Sequence, residues 1–197
     1  MSLRTGIRAA QHVFAAIALV AFGYCAVVWL DAKFFQARES RRFDQETQLK
    51  NSPSTEPKAP PESHIVRDGC PLGRLEIPRI GISVMVVEGV ENGDLKCAVG
   101  HIPGTSLPGA AGNVAIAGHR DTFFRPLRSV HRNDTITLRT ANGVYRYRVV
   151  FTDVVVPGDV QVLYPTKDDT LTLVTCFPFY YVGSAPKRFI VRAGRVS

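Results

Sequence analysis

The strongest limit on the fold of this chain is set by an uninterrupted run of seven residues near its end, Thr170-Leu171-Thr172-Leu173-Val174-Thr175-Cys176. Thr, Val and Leu without a charge or a glycine among them favour a buried β-strand. Pro178 follows closely and has no N–H to donate to a sheet ladder, so the strand is expected to stop there. The sequence therefore predicts a strand that presents Cys176 at its end, where a rigid backbone can expose one reactive atom.

Shorter runs of the same character recur between residues 67 and 197 and are separated by Gly and Pro. They comprise residues 73–78, 82–87, 136–139, 144–149 and 188–193. Asn142-Gly143 separates two of them and accepts the positive φ of a type I′ turn, which predicts a β-hairpin at that point. A short helical turn is expected over residues 122–127. Many short strands at regular spacing predict an all-β domain, either a closed barrel or a sandwich.

The N-terminal part of the chain differs in composition from the predicted β domain. Residues 13–30 carry no charge, and as a helix they would span about 27 Å, enough for a hydrocarbon core. No Ala-x-Ala cleavage site follows, and bulky Tyr24 precedes Cys25 where a lipoprotein signal has a small residue. We therefore expect an uncleaved transmembrane signal anchor at residues 13–30, preceded by a short cytoplasmic segment at residues 1–12. Basic residues on both sides of the anchor leave its orientation undecided.

Residues 31–66 are expected to link the anchor to the folded domain. Residues 32–49 are polar enough for a juxtamembrane helix, and residues 51–61 are rich in proline, which favours an extended spacer. The domain organisation predicted from the sequence is thus a cytoplasmic segment, an anchor, a linker over residues 31–66 and a catalytic domain over residues 67–197.

Charge and cysteine content exclude some functions and leave one question open. The net charge is +7, but no run of five like charges occurs, which disfavours nucleic-acid binding. The acidic residues are scattered without calcium-loop spacing, and Cys97 with His101 supplies only two metal ligands, so no cofactor is expected. If Cys176 works as a nucleophile it stays free, whereas Cys70 and Cys97 can be either paired or free.

Three residues remote in sequence form a candidate catalytic set: His119, Cys176 and Arg188. A thiolate attacks a carbonyl, a histidine protonates a leaving amine, and an arginine offers several N–H groups to an oxyanion. These groups suffice for acyl transfer without a metal. Each also has an ordinary structural interpretation, and His101 and Arg192 are competing candidates. Asp121 is expected to orient the imidazole or to cap the turn at Thr122.

The sequences around these three residues resemble those of sortases, the bacterial cysteine transpeptidases that attach proteins to the cell surface. Thr172-Leu173-Val174-Thr175-Cys176 matches the Thr-Leu-x-Thr-Cys signature of that family. Ile116-Ala117-Gly118-His119 and Lys187-Arg188-Phe189-Ile190-Val191 are similar to its histidine segment and to its final strand. The segments 118–125 and 180–186 are most similar to class D sortases, and the whole resemblance covers about residues 70–195.

The resemblance implies a closed eight-stranded β-barrel with short helices and assigns roles to individual residues. Cys176 is the implied nucleophile, His119 the general acid and base, and Arg188 the clamp for oxyanion and substrate. Thr175 is an implied support for the oxyanion, whereas His101 and Arg192 are implied to be structural.

The resemblance also implies an activity and a location. Sortases cleave a Leu-Pro-x-Thr-Gly-like sorting signal on a surface protein through a thioacyl intermediate, which an amine such as a cell-wall precursor resolves. The location expected is the bacterial cell membrane, with the catalytic domain outside, and the loop over residues 154–170 is expected to set specificity. Two other functions remain open: an L,D-transpeptidase-like wall cross-linker, whose usual His-Gly-Cys context is missing here, and a non-enzymatic membrane-anchored β-domain.

Overall fold

The β-rich part of the chain forms one barrel. The structure is a computed structural model that describes residues 3–50 and 69–196. Its strands are β1 (Pro71–Ile77), β2 (Ile82–Glu88), β3 (Val99–His101), β4 (Asn113–Ala117), β5 (Thr135–Thr140), β6 (Gly143–Val155), β7 (Thr170–Phe177) and β8 (Lys187–Arg195). The α-helices in the described residues are α1 (Leu3–Lys50) and α2 (Asn92–Cys97), and short 3-10 helices cover Pro78–Ile80, Arg125–Ser129 and Val160–Leu163.

The strands follow each other around the barrel in the order β1–β2–β3–β4–β7–β8–β6–β5, and β5 closes it against β1. Two neighbouring pairs are parallel, β2 with β3 and β4 with β7, and the other pairs are antiparallel. The prediction of a closed eight-stranded barrel is therefore confirmed.

Alternation along the strands separates the barrel interior from its outer face. On β7, Leu171 and Leu173 lie in the main core, so Thr172 and Cys176 belong to the opposite face. The buried core residues are Leu75, Ile77, Ile82, Val84, Val86, Val99, Val114, Ile116, Phe124, Leu127, Val130, Ile136, Leu138, Tyr147, Val149, Leu171, Leu173, Val191 and Ala193. Burial of these side chains at about 1.5–3 kcal/mol each is the main force that closes the barrel.

The predicted hairpin is present, but its turn differs from the prediction. Thr140 pairs with Gly143, so the two-residue loop is Ala141-Asn142. Asn133 alone among the described non-glycine residues has a positive φ, which rules out a type I′ turn at this loop. Gly143, with φ of 158°, is instead the first, extended residue of β6. The pattern located the hairpin and misplaced the turn by one residue.

Helix α1 includes the predicted anchor and the first part of the predicted linker. Within the residues that the structure describes, no helix combines the length and apolar character needed to cross a membrane, so the predicted anchor at residues 13–30 is not supported. The predicted proline-rich spacer at residues 51–61 lies outside the described residues.

Gln36 supplies one set of contacts between this helix and the barrel domain. The Gln36 side chain donates to the Cys97 carbonyl at 2.5 Å and accepts from the Met85 N–H at 2.9 Å. A single amide thus satisfies one backbone group of β2 and one at the end of α2.

Candidate active site

The three candidate catalytic residues lie at one end of the barrel, Cys176 and Arg188 on neighbouring strands and His119 just beyond the end of β4. On β7, Cys176 faces Arg188 of β8 directly. On the other side of β7, the last paired residue of β4, Ala117, faces Val174. His119 and Cys176 each follow this pair by two residues in parallel chain segments, so they lie at the same level of the barrel. The structure therefore brings together the ends of β4 and β7 and the start of β8.

The residue before the histidine is tied to the residues before the cysteine. The Gly118 N–H donates to the Val174 carbonyl at 3.1 Å, and the Gly118 carbonyl accepts the Thr175 hydroxyl at 2.7 Å. Thr175 is buried. Its hydroxyl proton is used by Gly118, so the structure supports a positioning role for Thr175 rather than the implied contact with the oxyanion.

Glycine is required at position 118 because other groups approach its backbone closely. A Cβ atom there would lie 2.7 Å from the Phe124 ring and 2.9 Å from a Val99 methyl group. The Phe124 N–H also donates to the His119 carbonyl at 3.1 Å. The Gly-His pair thus crosses directly over the core, and the turn after it is anchored by the fully buried ring of Phe124.

Cys176 and Arg188 are both only partly exposed. Cys176 is a free thiol. The Arg188 Nη1 donates to the carbonyls of Ala185 at 3.2 Å and Lys187 at 3.0 Å, and Arg188 forms no ion pair within the described part of the chain. Its Nε and Nη2 make no hydrogen bond to a described residue, which leaves a positive charge and N–H donors for a substrate oxygen.

Three phenylalanines brace this end of the β7–β8 pair. The rings of Phe177, Phe179 and Phe189 contact each other with centroid separations of 5.9, 6.2 and 5.3 Å. Such aromatic contacts are each worth about 0.5–1.5 kcal/mol beyond the area they bury. They hold the backbone directly after Cys176 and at the start of β8.

A polar cluster holds the connection between β6 and β7 against the outer face of the barrel. The Asn113 amide donates to the carbonyls of Val162 at 3.1 Å and Tyr164 at 3.2 Å, and its oxygen accepts the Thr172 hydroxyl at 2.6 Å. The Arg192 Nη2 donates to the same Val162 carbonyl at 2.9 Å. This connection overlaps the loop predicted to set specificity, and it flanks the face that carries Cys176.

Arg192 does not share the site with Arg188. It faces Thr172, four residues further along β8, and burial lowers its pKa. Its contact with Val162 agrees with the structural role implied for it.

His101, the competing histidine, is buried at the end of β3 with both ring nitrogens engaged. Its Nδ1 lies 2.8 Å from the Glu88 carboxylate, and its Nε2 lies 3.0 Å from both the Thr105 hydroxyl and the Ser106 carbonyl. These partners fix its ring within the barrel wall and leave no nitrogen for Cys176.

The described cysteines and acidic residues outside the candidate site form neither a disulfide nor a metal-binding cluster. Cys70 and Cys97 are both free thiols, which answers the open question of their pairing in this structure. Burial is the main cause that raises the pKa of the Cys97 thiol. Among the described residues, no group of three or more His, Cys, Asp or Glu side chains is placed to hold a metal ion.

Sequence reasoning overlooked Arg120, which is buried directly after His119. Its guanidinium donates to three carbonyls of the loop between β7 and β8: Pro178 at 3.0 Å, Tyr181 at 2.7 Å and Gly183 at 3.1 Å. Asp121 lies 3.5 Å from Arg120 and is largely exposed, and no hydrogen bond joins it to His119 or to the backbone of the turn among the described residues. A basic residue beside a candidate histidine was the available signal, but its burial was not visible in the sequence.

Comparison with known proteins identifies the relatives of this chain. A family model described as the sortase domain matches residues 75–196. Sortase D of Bacillus subtilis (strain 168) is 35% identical over 151 residues, which cover 76% of this chain and 72% of that protein. Sortase A from Corynebacterium diphtheriae is 31% identical with a TM-score of 0.61, covering 66% of this chain and 62% of that structure. A Clostridium perfringens sortase D5 transpeptidase, 24% identical with a TM-score of 0.65, covers 84% of this chain and 98% of its own and shows the shared fold.

Proposed function

This chain belongs to the sortase family, whose members are cysteine transpeptidases, and we propose that it cleaves a Leu-Pro-x-Thr-Gly-like sorting signal on a protein substrate and transfers the new acyl group to an amine. Membership of the sortase family argues against the two alternative functions, a non-enzymatic β-domain and an L,D-transpeptidase-like cross-linker. The barrel is that of an enzyme family rather than of a binding domain, and it is not that of an L,D-transpeptidase. The substrate, the intermediate and the acceptor are the proposed parts.

The observation that carries the proposal is the arrangement of three residues on two neighbouring strands and just beyond the end of a third. Cys176 is directly opposite Arg188 across β7 and β8, and His119 leaves β4 at the level of Cys176. A nucleophile flanked by a proton carrier on one side and a permanent cation on the other is what acyl transfer from an amide requires.

In the first half-reaction the Cys176 sulfur attacks the threonine carbonyl carbon as a thiolate. The negative charge that develops on the carbonyl oxygen is stabilised by the Arg188 guanidinium, which has unused N–H donors. The C–N bond then breaks, His119 gives its proton to the leaving amine, and a thioester to Cys176 remains.

In the second half-reaction an amine attacks the thioester carbonyl. His119, now neutral, takes a proton from the attacking nitrogen, and the tetrahedral intermediate expels the Cys176 thiolate. The products are a new amide and the starting form of the enzyme. A cell-wall precursor is the proposed class of amine, and the outer face of a bacterial cell membrane is the proposed location.

The test is covalent capture followed by product analysis. The full-length protein is incubated with a panel of sorting-signal peptides, with and without an amine acceptor, and analysed by intact and peptide mass spectrometry. We expect a thioester on Cys176 that disappears when the amine is added, and neither adduct nor product with Cys176→Ala. An adduct on Cys97, or turnover that survives in Cys176→Ala, would contradict the proposal.

A further inference from the structure

We propose that Arg120 is a positioning residue, which holds His119 and the loop between β7 and β8 in the geometry that the transpeptidase reaction needs. This inference rests on the roles proposed above for His119, Cys176 and Arg188. It adds a residue that touches none of the reacting atoms and acts through the backbone on both sides of them.

The contacts of Arg120 are concentrated on the segment that separates Cys176 from Arg188. Its Nη1 donates to Pro178, two residues after the cysteine, and its Nη2 donates to Tyr181 and Gly183, closer to the arginine. The guanidinium also lies 5.9 Å from the centroid of the Tyr181 ring. One side chain thus fixes several points of a loop that has no regular structure of its own.

Hydrogen bonds connect the histidine segment to the residues on both sides of Cys176. Before the cysteine, Val174 and Thr175 are bonded to Gly118. After the cysteine, Pro178 is bonded to Arg120. Because residues 118 and 120 flank His119, these hydrogen bonds set the separation of His119 and Cys176 from both sides. Of the two connections, the one after the cysteine depends on the long side chain of Arg120.

Burial strengthens the hydrogen bonds of Arg120 to the loop. The side chain of Arg120 is only 8% exposed, and a buried guanidinium is tolerated only when its N–H groups are satisfied. Hydrogen bonds from a charged donor are shorter and stronger than those between neutral groups. In the loop that Arg120 holds, Phe179 packs against the core, but Tyr180 is 75% and Val182 97% exposed. Contacts of those two side chains with the core therefore do not hold the loop in place.

Loss of Arg120 is expected to free the loop and leave the barrel intact, since the carbonyls it binds all lie between residues 178 and 183. A displacement of about 1 Å at a catalytic site can cost about 10²-fold in rate. Lysine keeps the charge but lacks the planar guanidinium that reaches three carbonyls at once. Arg120→Lys should therefore recover only part of the lost activity.

The experiment compares full-length Arg120→Ala and Arg120→Lys with two control variants. Arg79→Ala removes an arginine that bonds to Asp134 and to the Ser129 carbonyl, and it reports what loss of a structural arginine does. His119→Ala gives the behaviour of Cys176 without its proton carrier. The measurements are kcat and KM with a peptide and an amine, the pH profile of Cys176 alkylation by iodoacetamide, and hydrogen exchange of residues 177–186.

The expected result for Arg120→Ala is a kcat about 10²-fold lower, KM within about threefold of the wild type, and an alkylation profile shifted towards that of His119→Ala. Hydrogen exchange should be faster in residues 177–186 and unchanged in strands β1 and β2. Arg120→Lys should lie between Arg120→Ala and the wild type in each measurement. Arg79→Ala should lower thermal stability without altering the alkylation profile.

Two results would overturn the inference. One is unchanged exchange of residues 177–186 in Arg120→Ala, whatever the activity. The other is a loss of activity that matches the loss of folded protein, with a wild-type alkylation profile in the folded fraction. If the wild type itself turns over no peptide, the proposed function fails, but hydrogen exchange and alkylation still decide whether Arg120 holds the loop and sets the environment of Cys176.

Discussion

Cys176 and Arg188 face each other directly across strands β7 and β8, although eleven residues separate them along the chain. Side chains at directly opposite positions of an antiparallel pair have Cβ atoms about 4.5–5.5 Å apart and lie on the same face of the sheet. The backbone ladder therefore holds the sulfur and the guanidinium together without a hydrogen bond between them. This arrangement leads to testable predictions for the site and for the barrel that carries it.

Removal of the Arg188 charge should reduce catalysis far more than stability. We expect Arg188→Ala to lower kcat/KM by about 10²–10³-fold, the usual cost of losing an oxyanion donor, and Arg188→Lys to restore little of it. Among the described residues, its side-chain hydrogen bonds reach only the Ala185 and Lys187 carbonyls, so the melting temperature should change little. Steady-state kinetics and thermal denaturation check this, with Lys187→Ala as the control for an exposed neighbouring cation. Equal activity of Arg188→Ala and the wild type would rule out the clamp role.

Thr175→Val should affect both folding and the histidine. The substitution is close to isosteric but leaves the Gly118 carbonyl without its 2.7 Å hydrogen bond, which should cost about 1–3 kcal/mol in unfolding free energy. Because Gly118 precedes His119, kcat should fall as well. Thr175→Ser keeps the hydroxyl and should retain most of the activity. Urea denaturation and kcat are the measurements, and a Thr175→Val enzyme with unchanged kcat would exclude the positioning role.

Asn113→Ala should weaken substrate binding more than chemistry. The Asn113 amide holds the Val162 and Tyr164 carbonyls, and thereby the connection that flanks the outer face beside Cys176. We expect a several-fold higher KM for the sorting peptide and a kcat within about threefold of the wild type. Gln161→Ala is the matched control. Gln161 lies on the same short 3-10 helix as Val162, is exposed, and makes no side-chain hydrogen bond to a described residue. A lower kcat with unchanged KM would show that Asn113 acts on the chemistry instead.

The Asp134–Arg79 pair should make the unfolding free energy depend on pH in the acidic range. The hydrogen bond from Arg79 is the main cause that lowers the pKa of the buried Asp134 carboxyl below its usual value near 4. A carboxyl with a lowered pKa in the folded state contributes stability above pH of about 4, and this contribution disappears as the pH falls through the folded-state pKa. Asp134→Asn should therefore be less stable than the wild type at pH 7, with a difference that shrinks below about pH 4. Urea denaturation at several pH values checks this, and a difference that grows in acid would contradict it.

Cys97 should react more slowly than an ordinary exposed thiol. Burial raises the pKa of Cys97, so less of it is thiolate at neutral pH. Alkylation of Cys97 should become fast only at a higher pH than alkylation of the exposed Cys70. Peptide mass spectrometry after timed treatment with iodoacetamide measures both sites in one sample. Preferential labelling of Cys97 at pH 7 would contradict this prediction.

The local pattern of the sequence was sufficient to predict six of the eight strands and to select the candidate residues, but β3 and β4 were not predicted. The run ending at Cys176 forms β7, and the segment beginning near Arg188 forms β8. Strand patterns are local because the alternation of buried and exposed residues acts over a few neighbours. The turn of the hairpin was misplaced by one residue, since the pairing of Thr140 with Gly143 depends on the register of the whole β5–β6 pair.

Only the tertiary structure decided how these pieces combine. Closure of the barrel places β7 between β4 and β8, and this order brings residues 119, 176 and 188 to one end. The burial of Arg120 and the bonds of Asn113 to Val162 also follow from this packing, because their partners lie 49 to 63 residues away along the chain. The sequence by itself determined six of the eight strands and the set of side chains that can react, since these depend on near neighbours and on chemical identity. Which distant residues meet depends on the closed sheet, whose strand order and register arise only when the whole core is buried.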